Sequence, residues 1–199
     1  MSLAISHKQN EKIIQGEETK KAILKIAKKL FGKKGYNGTS IEDILGELKM
    51  TKGALYHHFS NKREIFFEVC KIINQAETRN WETMTWKEFK QSLNHLWDLA
   101  DDPDFVQIWI KDCFSVLSSD EIFSLDEDYV IKPFQKFLER MCKEKQIVSL
   151  PSFEEAHLLV GLVNQGLWLL STTEKKERPK TRQNLNKIIL SYVNFRELR

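Results

Sequence analysis

Twelve consecutive residues, Thr51-Lys52-Gly53-Ala54-Leu55-Tyr56-His57-His58-Phe59-Ser60-Asn61-Lys62, combine a helix-start signal with hydrogen-bond donors arranged around two small side chains. Thr51 can cap a short helix with its hydroxyl. On that helix Leu55 and Phe59 point the same way, which leaves Gly53, Ala54 and His57 opposite and Tyr56 and His58 on the flanks. Small residues at 53 and 54 let the start of the helix approach a flat polar edge closely. Thr51 and Lys52 sit at the entry, and Tyr56, His58 and Lys62 offer donors at the rim. These are the needs of a duplex major groove, where readable base edges lie between rows of phosphates. The plainer alternative makes Tyr56 and His57 ordinary surface residues.

Catalytic chemistry has less to work with. The chain has no Gly-rich phosphate loop, no His-Glu-x-x-His and no Gly-x-Ser-x-Gly. Cys113 has no histidine beside it in sequence, although His95 or His157 could meet it in space. Cys70, Cys113 and Cys142 are odd in number, far apart and without a C-x-x-C pair, which argues against a disulfide framework and a zinc site and for core filler. No catalytic residue, metal or cofactor is expected.

The elements that must hold Thr51 to Lys62 read as helices. Strand signals are nearly absent, and apolar residues recur at spacings of three and four. A first helix runs from Glu17 or Glu18 to Lys34, with Ile23, Ile26, Ala27, Leu30 and Phe31 on one face and Gly35 after its last turn. Thr39 or Ser40 caps a second, whose Glu42 and Asp43 suit the positive end of the helix dipole. Only Lys49 and Met50 separate it from Thr51, so the two short helices cross steeply: a helix-turn-helix completed by the helix in front. Ser60 or Asn61 caps a fourth helix, to about Arg79, with no flexible linker before it. Further helices are expected at about 85–100, 104–118, 126–145, 153–172 and 181–195, with Pro133 kinking or starting the third of these. The expected fold is all-α, with a DNA-binding unit at 1–62 and a larger helical unit at 63–199.

Charge separates the same two parts. Residues 1–63 hold 13 Lys/Arg against 6 Asp/Glu, a surplus of +7, and the remainder holds 18 against 22, or −4. A basic head favours polyanions, and a solvated lysine-rich helix face explains it equally well. The acidic body is compatible with a cationic effector and equally with ordinary surface carboxylates. The longest apolar run, residues 158–170, carries Asn164 and Gln165 and is about a third too short to span a bilayer. No apolar run follows a basic start at the N-terminus, so a cytoplasmic protein with no membrane partner is expected.

The stretch GTSIEDILGELKMTKGALYHHFSNKREIF, residues 38–66, resembles the DNA-binding domain of the TetR family of bacterial transcriptional regulators. The resemblance covers about 45 residues and departs from the usual pattern at Lys49, where the family has Gly in the turn, and at Leu45, where it has Ala. It implies backbone contacts from Thr39 and Ser40, base contacts from Lys52, Gly53, Ala54 and His57, and phosphate contacts from Thr51, Tyr56, His58 and Lys62. It also implies a homodimer, a double-stranded DNA operator and a small-molecule effector, in a repressor or an activator. A helix-turn-helix used to bind a partner protein is the rival reading.

Dimerisation through the last two long helices is part of that implication, and their apolar surplus supports it: Leu158, Leu162, Gly166 and Leu169, then Ile189, Tyr192 and Val193. Burial of the same residues in the protomer core is the alternative. For the effector, the middle helices offer Trp97, Phe105, Trp109, Cys113, Phe114, Phe134, Phe137 and Trp168, with His95, Asn164 and Gln165 as polar handles, a composition suited to flat or lipophilic molecules. Each aromatic can equally be core.

Overall fold

Among the described residues three have a left-handed backbone, and each follows the end of a helix or its final turn: Gly35 (φ 73°), Lys49 (φ 52°) and Lys145 (φ 57°). The computed structural model describes residues 2–78 and 80–198, with side chains from residue 14 onward except 77 and 78. Over those residues the fold is helical throughout, and a lone antiparallel bridge joins Ile147 to Glu197.

Helix α1 (Ser2–Lys34) begins well before the expected Glu17, because only Gly16 interrupts that segment and it contains no proline. It stops on Gly35, where the absent Cβ removes the steric objection to a left-handed turn. Helix α2 (Ile41–Leu48) starts from a reciprocal cap: the Asp43 N–H donates to Ser40 Oγ at 3.0 Å, and Asp43 Oδ2 accepts the Ser40 N–H at 2.8 Å. It ends on Lys49, where a Cβ makes the same turn unfavourable by about 1–2 kcal/mol. Helix α3 (Lys52–Tyr56) is capped by Thr51, whose Oγ1 accepts from the Ala54 N–H at 3.3 Å. Helix α4 (Lys62–Thr78) follows, and Arg79, its expected end, lies outside the described residues. Five residues cannot hold a helix alone. α3 is held because Leu55 and Phe59 are buried in the common hydrophobic core, worth about 1.5–3 kcal/mol each.

The body begins with α5 (86–101), capped by Thr85 with Glu88 and α-helical over Trp86–Ser92. From Leu93 to Asp101 it tightens into a 3₁₀ helix, nine residues long where three or four are usual. Three residues per turn align side chains in rows: Leu93, Leu96 and Leu99; Asn94, Trp97 and Ala100; His95, Asp98 and Asp101. Helix α6 (103–116) starts at Pro103 under an Asp102 cap and widens into a π-helical stretch at Val106–Asp112.

Helix α7 (119–143) begins seven residues earlier than expected, because Ser118 and Glu121 form a reciprocal cap within what reads as a break. Pro133 stands in the first turn of its regular α-helical part, Lys132–Lys143, in keeping with the expected start there. Proline has no N–H for the carbonyl four residues back and its ring needs room there, and the π-helical turn at Glu127–Ile131 provides that room. Helices α8 (Ser152–Thr172) and α9 (Arg178–Arg196) complete the body. A buried pair joins them: Arg196 Nε and Nη2 reach the two Glu155 oxygens at 2.6 and 2.7 Å, and the Tyr192 hydroxyl donates to Glu155 Oε1 at 2.5 Å. Burial, and next the Glu155 carboxylate, push the Tyr192 phenol up to about 12.

Candidate functional site

With Leu55 and Phe59 turned into the core, α3 and the turn after it expose Thr51, Lys52, Gly53, Ala54, Tyr56 and His57. A Cβ built on Gly53 meets nothing within 4 Å. The protein's own packing therefore does not require glycine there, whereas close approach of an outside surface would. Lys52 pairs with Glu42 at 3.2 Å, both side chains largely in water. Such a pair contributes little, so the ammonium can exchange Glu42 for a phosphate at small penalty. Glu42 lies below the usual carboxylate range, chiefly through a backbone N–H at the start of α2 and next through Lys52. His58 is half-buried beside His57, their rings 5.3 Å apart.

Three of the residues expected on the DNA are occupied within the protein. Thr39 is buried, and its hydroxyl donates to the Gly35 carbonyl at 2.9 Å. Lys62 donates to the Tyr36 and Thr39 carbonyls at 2.8 and 2.9 Å, with its ammonium 4.1 Å from the centre of the Tyr36 ring. It thus braces the α1–α2 turn. Ser40 is exposed, but its hydroxyl serves the α2 cap.

The head is joined to the body by contacts that sequence reading missed. Arg63, at the start of α4, donates from Nη1 to Glu121 Oε1 at 2.7 Å, from Nη2 to Oε2, and from Nε to the Val116 carbonyl at 3.1 Å. The guanidinium holds the Glu121 carboxyl down to about 2. Asp112 of α6 accepts the Tyr36 N–H at 2.8 Å and the Gln107 amide at 3.1 Å. A Cβ on Gly32 would fall 2.3 Å from Asp104 Oδ1, so α1 and α6 touch where glycine permits it. A glycine inside an otherwise good helix was the available signal.

Below this joint lies a cavity of about 160 Å³, between α4 and the helices of the body. Phe105, Trp109, Phe134 and Asn164 of the expected set line it, and Leu93, Leu96 and Leu99 form one wall as a 3₁₀ row. The other expected residues lie elsewhere. Trp97 belongs to the neighbouring row, where its indole N–H donates to Asn186 at 2.7 Å and Gly166 closes on its ring. His95 stands in the exposed polar row, 3.2 Å from Asp98. Phe137 packs behind the wall, 5.0 Å from Phe89, Cys113 is buried outside the cavity lining, and Trp168 and Phe114 are exposed.

Two polar wall residues were not expected: Asn74 of α4 and Asp126 of α7, with Asn74 Nδ2 donating to Asp126 Oδ1 at 3.3 Å. Burial pushes the Asp126 carboxyl up to about 6, against a smaller lowering by Asn74.

Of the residues expected at a dimer contact, Leu158 and Leu169 are exposed and Leu162 is half-buried. Gly166, Ile189 and Val193 are buried in the protomer instead, the last two in the cavity wall, and Tyr192 is held by Glu155. The large apolar residues left outside on α8 and α9 are Phe153, Leu158, Trp168, Leu169, Ile188 and Phe195. No helix among the described residues is long and apolar enough to cross a membrane, and no group of three or more potential metal ligands occurs among them.

Comparison with known proteins gives both halves a family. Residues 23–69 match bacterial regulatory proteins of the tetR family, and residues 86–191 match the tetracyclin repressor-like C-terminal domain. The transposon Tn10 TetC protein of Escherichia coli is 26% identical over 150 residues, 73% of this chain and 76% of that protein. The HTH-type transcriptional regulator QacR of Staphylococcus aureus is 39% identical over 63 residues, covering 32% of this chain and 34% of its own. In structure, a TetR-family transcriptional regulator from Pectobacterium atrosepticum superposes with a TM-score of 0.74 at 19% identity, covering 94% of this chain and 97% of that one.

Proposed function

Because the chain belongs to the tetR family of bacterial regulatory proteins, a family of DNA-binding transcriptional regulators and not of enzymes, we propose the finer reading of a dimeric, cytoplasmic repressor released from its operator by a small, largely apolar ligand. One observation carries it. Helix α4 begins in the head, where Lys62 and Arg63 hold the α1–α2 turn and the body, and Asn74 of the same helix lines the cavity. Twelve residues of helix separate the two ends, about 18 Å of stiff element, so a molecule that displaces Asn74 moves the recognition helix.

In this reading residues 1–62 are the DNA-binding unit and 63–199 the effector and dimerisation unit. Lys52, Gly53, Ala54 and His57 face bases; Thr51, Ser40, Tyr56 and His58 meet backbone. Thr39 and Lys62 hold the turn that aims them. Few of these side chains can read a base by two hydrogen bonds at once, so DNA shape supplies part of the specificity. The exposed face of Leu158, Leu169, Ile188 and Phe195 packs on a second copy, which sets two recognition helices about 34 Å apart. Effector binding changes that spacing and lowers operator affinity by the coupling energy.

The test is fluorescence anisotropy on the DNA upstream of its own gene, with excess random competitor at physiological salt, where non-specific binding is about 10⁻⁴–10⁻⁶ M. Tight binding by a dimer, abolished by Tyr56→Ala, is expected. Binding no tighter than to random sequence, at that site and across a genomic library, would overturn the operator reading in favour of a protein-binding adaptor.

A further inference from the structure

We propose that the cavity between α4 and the body selects small organic cations, an ammonium group carried on a single ring or a short alkyl body, with Asp126 as the counter-ion. The inference rests on the cavity being the effector site and goes further by fixing the charge and size of the ligand.

Charge is the first argument. Among the described residues, Asp126 is the one ionisable residue in the cavity wall. Its carboxylate accepts one hydrogen bond among the described residues, from the neutral Asn74 amide at 3.3 Å, and it serves no helix cap. Among the described residues no Lys, Arg or His forms an ion pair with it, and burial already disfavours its charged form. A carboxylate placed in an apolar wall with one long hydrogen bond is unfavourable in the protein alone. A cation entering the cavity removes that penalty. A neutral ligand leaves it, and an anion adds to it.

The wall around Asp126 gives the second argument. Trp81 and Phe134 pack with ring centres 4.9 Å apart, Phe89 lies 5.6 Å from Phe134, and Phe105 and Trp109 complete an aromatic surround. Ring faces are electron-rich and attract an ammonium that has shed part of its water. An aliphatic wall would suit a hydrocarbon as well. Aromatic faces beside one carboxylate favour a cation with an apolar body.

Size supplies the third. The cavity measures about 160 Å³, close to the roughly 150 Å³ at which an apolar protein cavity takes up benzene. The ligand is therefore of one-ring scale. Its ammonium would meet the carboxylate already bonded to Asn74, which places the charge contact directly against α4.

Three probes of matched shape test this on the full-length protein by calorimetric titration: 2-phenylethylammonium, 2-phenylethanol and phenylacetate. The expected order is ammonium at least tenfold tighter than alcohol, with no measurable binding of phenylacetate. In Asp126→Asn, which keeps the shape and the acceptor for Asn74, the ammonium advantage falls to about twofold or less while the alcohol binds as before. If ammonium and alcohol bind the wild type equally, the inference is overturned and the apolar-effector reading stands. An advantage that survives Asp126→Asn places the counter-ion elsewhere and also overturns it. If none of the three binds, the cavity is not an effector site of this size, and both readings fall together.

Discussion

Asp126→Asn should make the unliganded protein more stable, and by an amount that depends on pH. The carboxyl rises from 3.8 in the unfolded chain to about 6 in the folded one, chiefly because burial disfavours its charge. Two pKa units correspond to about 3 kcal/mol, an upper figure since the site retains some solvent. The direction follows from proton counts. Below about pH 3 the group is protonated in both states, and the variant has no advantage. Between pH 4 and 6 the unfolded chain gives up its proton first, the native state holds more protons, and wild-type stability falls as pH rises. Above about pH 7 the full penalty is present. Asparagine carries no charge and keeps the acceptor for Asn74, so the variant's advantage should grow from about a sixth of its value at pH 4, through about half at pH 5, to about 2–3 kcal/mol at pH 8. Urea unfolding of both proteins at each pH measures this, because the difference cancels groups that titrate alike in the two. With a slope of about 2–3 kcal/mol per molar, the shift at pH 8 is roughly 1 M in midpoint. An advantage that is constant from pH 4 to 8 would show that packing, not charge burial, is responsible; a loss of stability at pH 8 would refute the desolvation argument outright.

Other substitutions test other joints. Lys49→Gly relieves a left-handed turn and should raise stability by about 0.5–1 kcal/mol after allowing for glycine's looser unfolded chain, read as a thermal midpoint about 1–4 °C higher. Glu155→Gln leaves the Arg196 guanidinium buried without its counter-charge and should cost about 3–5 kcal/mol, against about 1 kcal/mol for Tyr192→Phe, which removes one hydrogen bond; denaturant unfolding of the two variants should rank them in that order. Lys62→Met removes the two carbonyl contacts of the α1–α2 turn, so unfolding should become easier while the salt dependence of DNA binding stays the same. A slope lower by about one would instead place Lys62 on a phosphate.

The head was legible because its signals are local. Thr51 with Leu55 and Phe59, the Ser40 cap, and Gly35 after Lys34 each announce a boundary within a few residues, and the described helices start and stop there. Lys62 shows the limit of such reading: a lysine in the right place for a phosphate is also in the right place for two carbonyls, and the contacts to Tyr36 and Thr39 arise from the fold of the α1–α2 turn, which no local pattern announces. In the body, two of the residues that lie outside the cavity lining share a cause. By residue type His95 and Trp97 suit one pocket, but the segment turns every three residues and sends them to different sides. Asp126 escaped notice because a single carboxylate among many has no local mark; its position against Asn74, 52 residues away in sequence, arises from packing. The start of α7 could have been read from Ser118 and Glu121, whose spacing is that of a capping box.

The tightened stretch of α5 also bears on how this protein can vary. Because the Leu93, Trp97 and His95 rows stand about 120° apart, tolerance to substitution there should repeat with a period of three once past the exposed Asn94: a cavity row sensitive to volume, a core row sensitive to any loss at Trp97 and Ala100, and a solvent row nearly free apart from the contacts Asp98 and Asp101 make with Arg182. A single deletion within 93–101 would exchange the roles of all three rows downstream of it, so a loss of one small residue here should be far more damaging than replacement of a large one on the outer row. New ligand preferences can therefore arise by substitution along Leu93, Leu96 and Leu99 while the length of the segment stays unchanged.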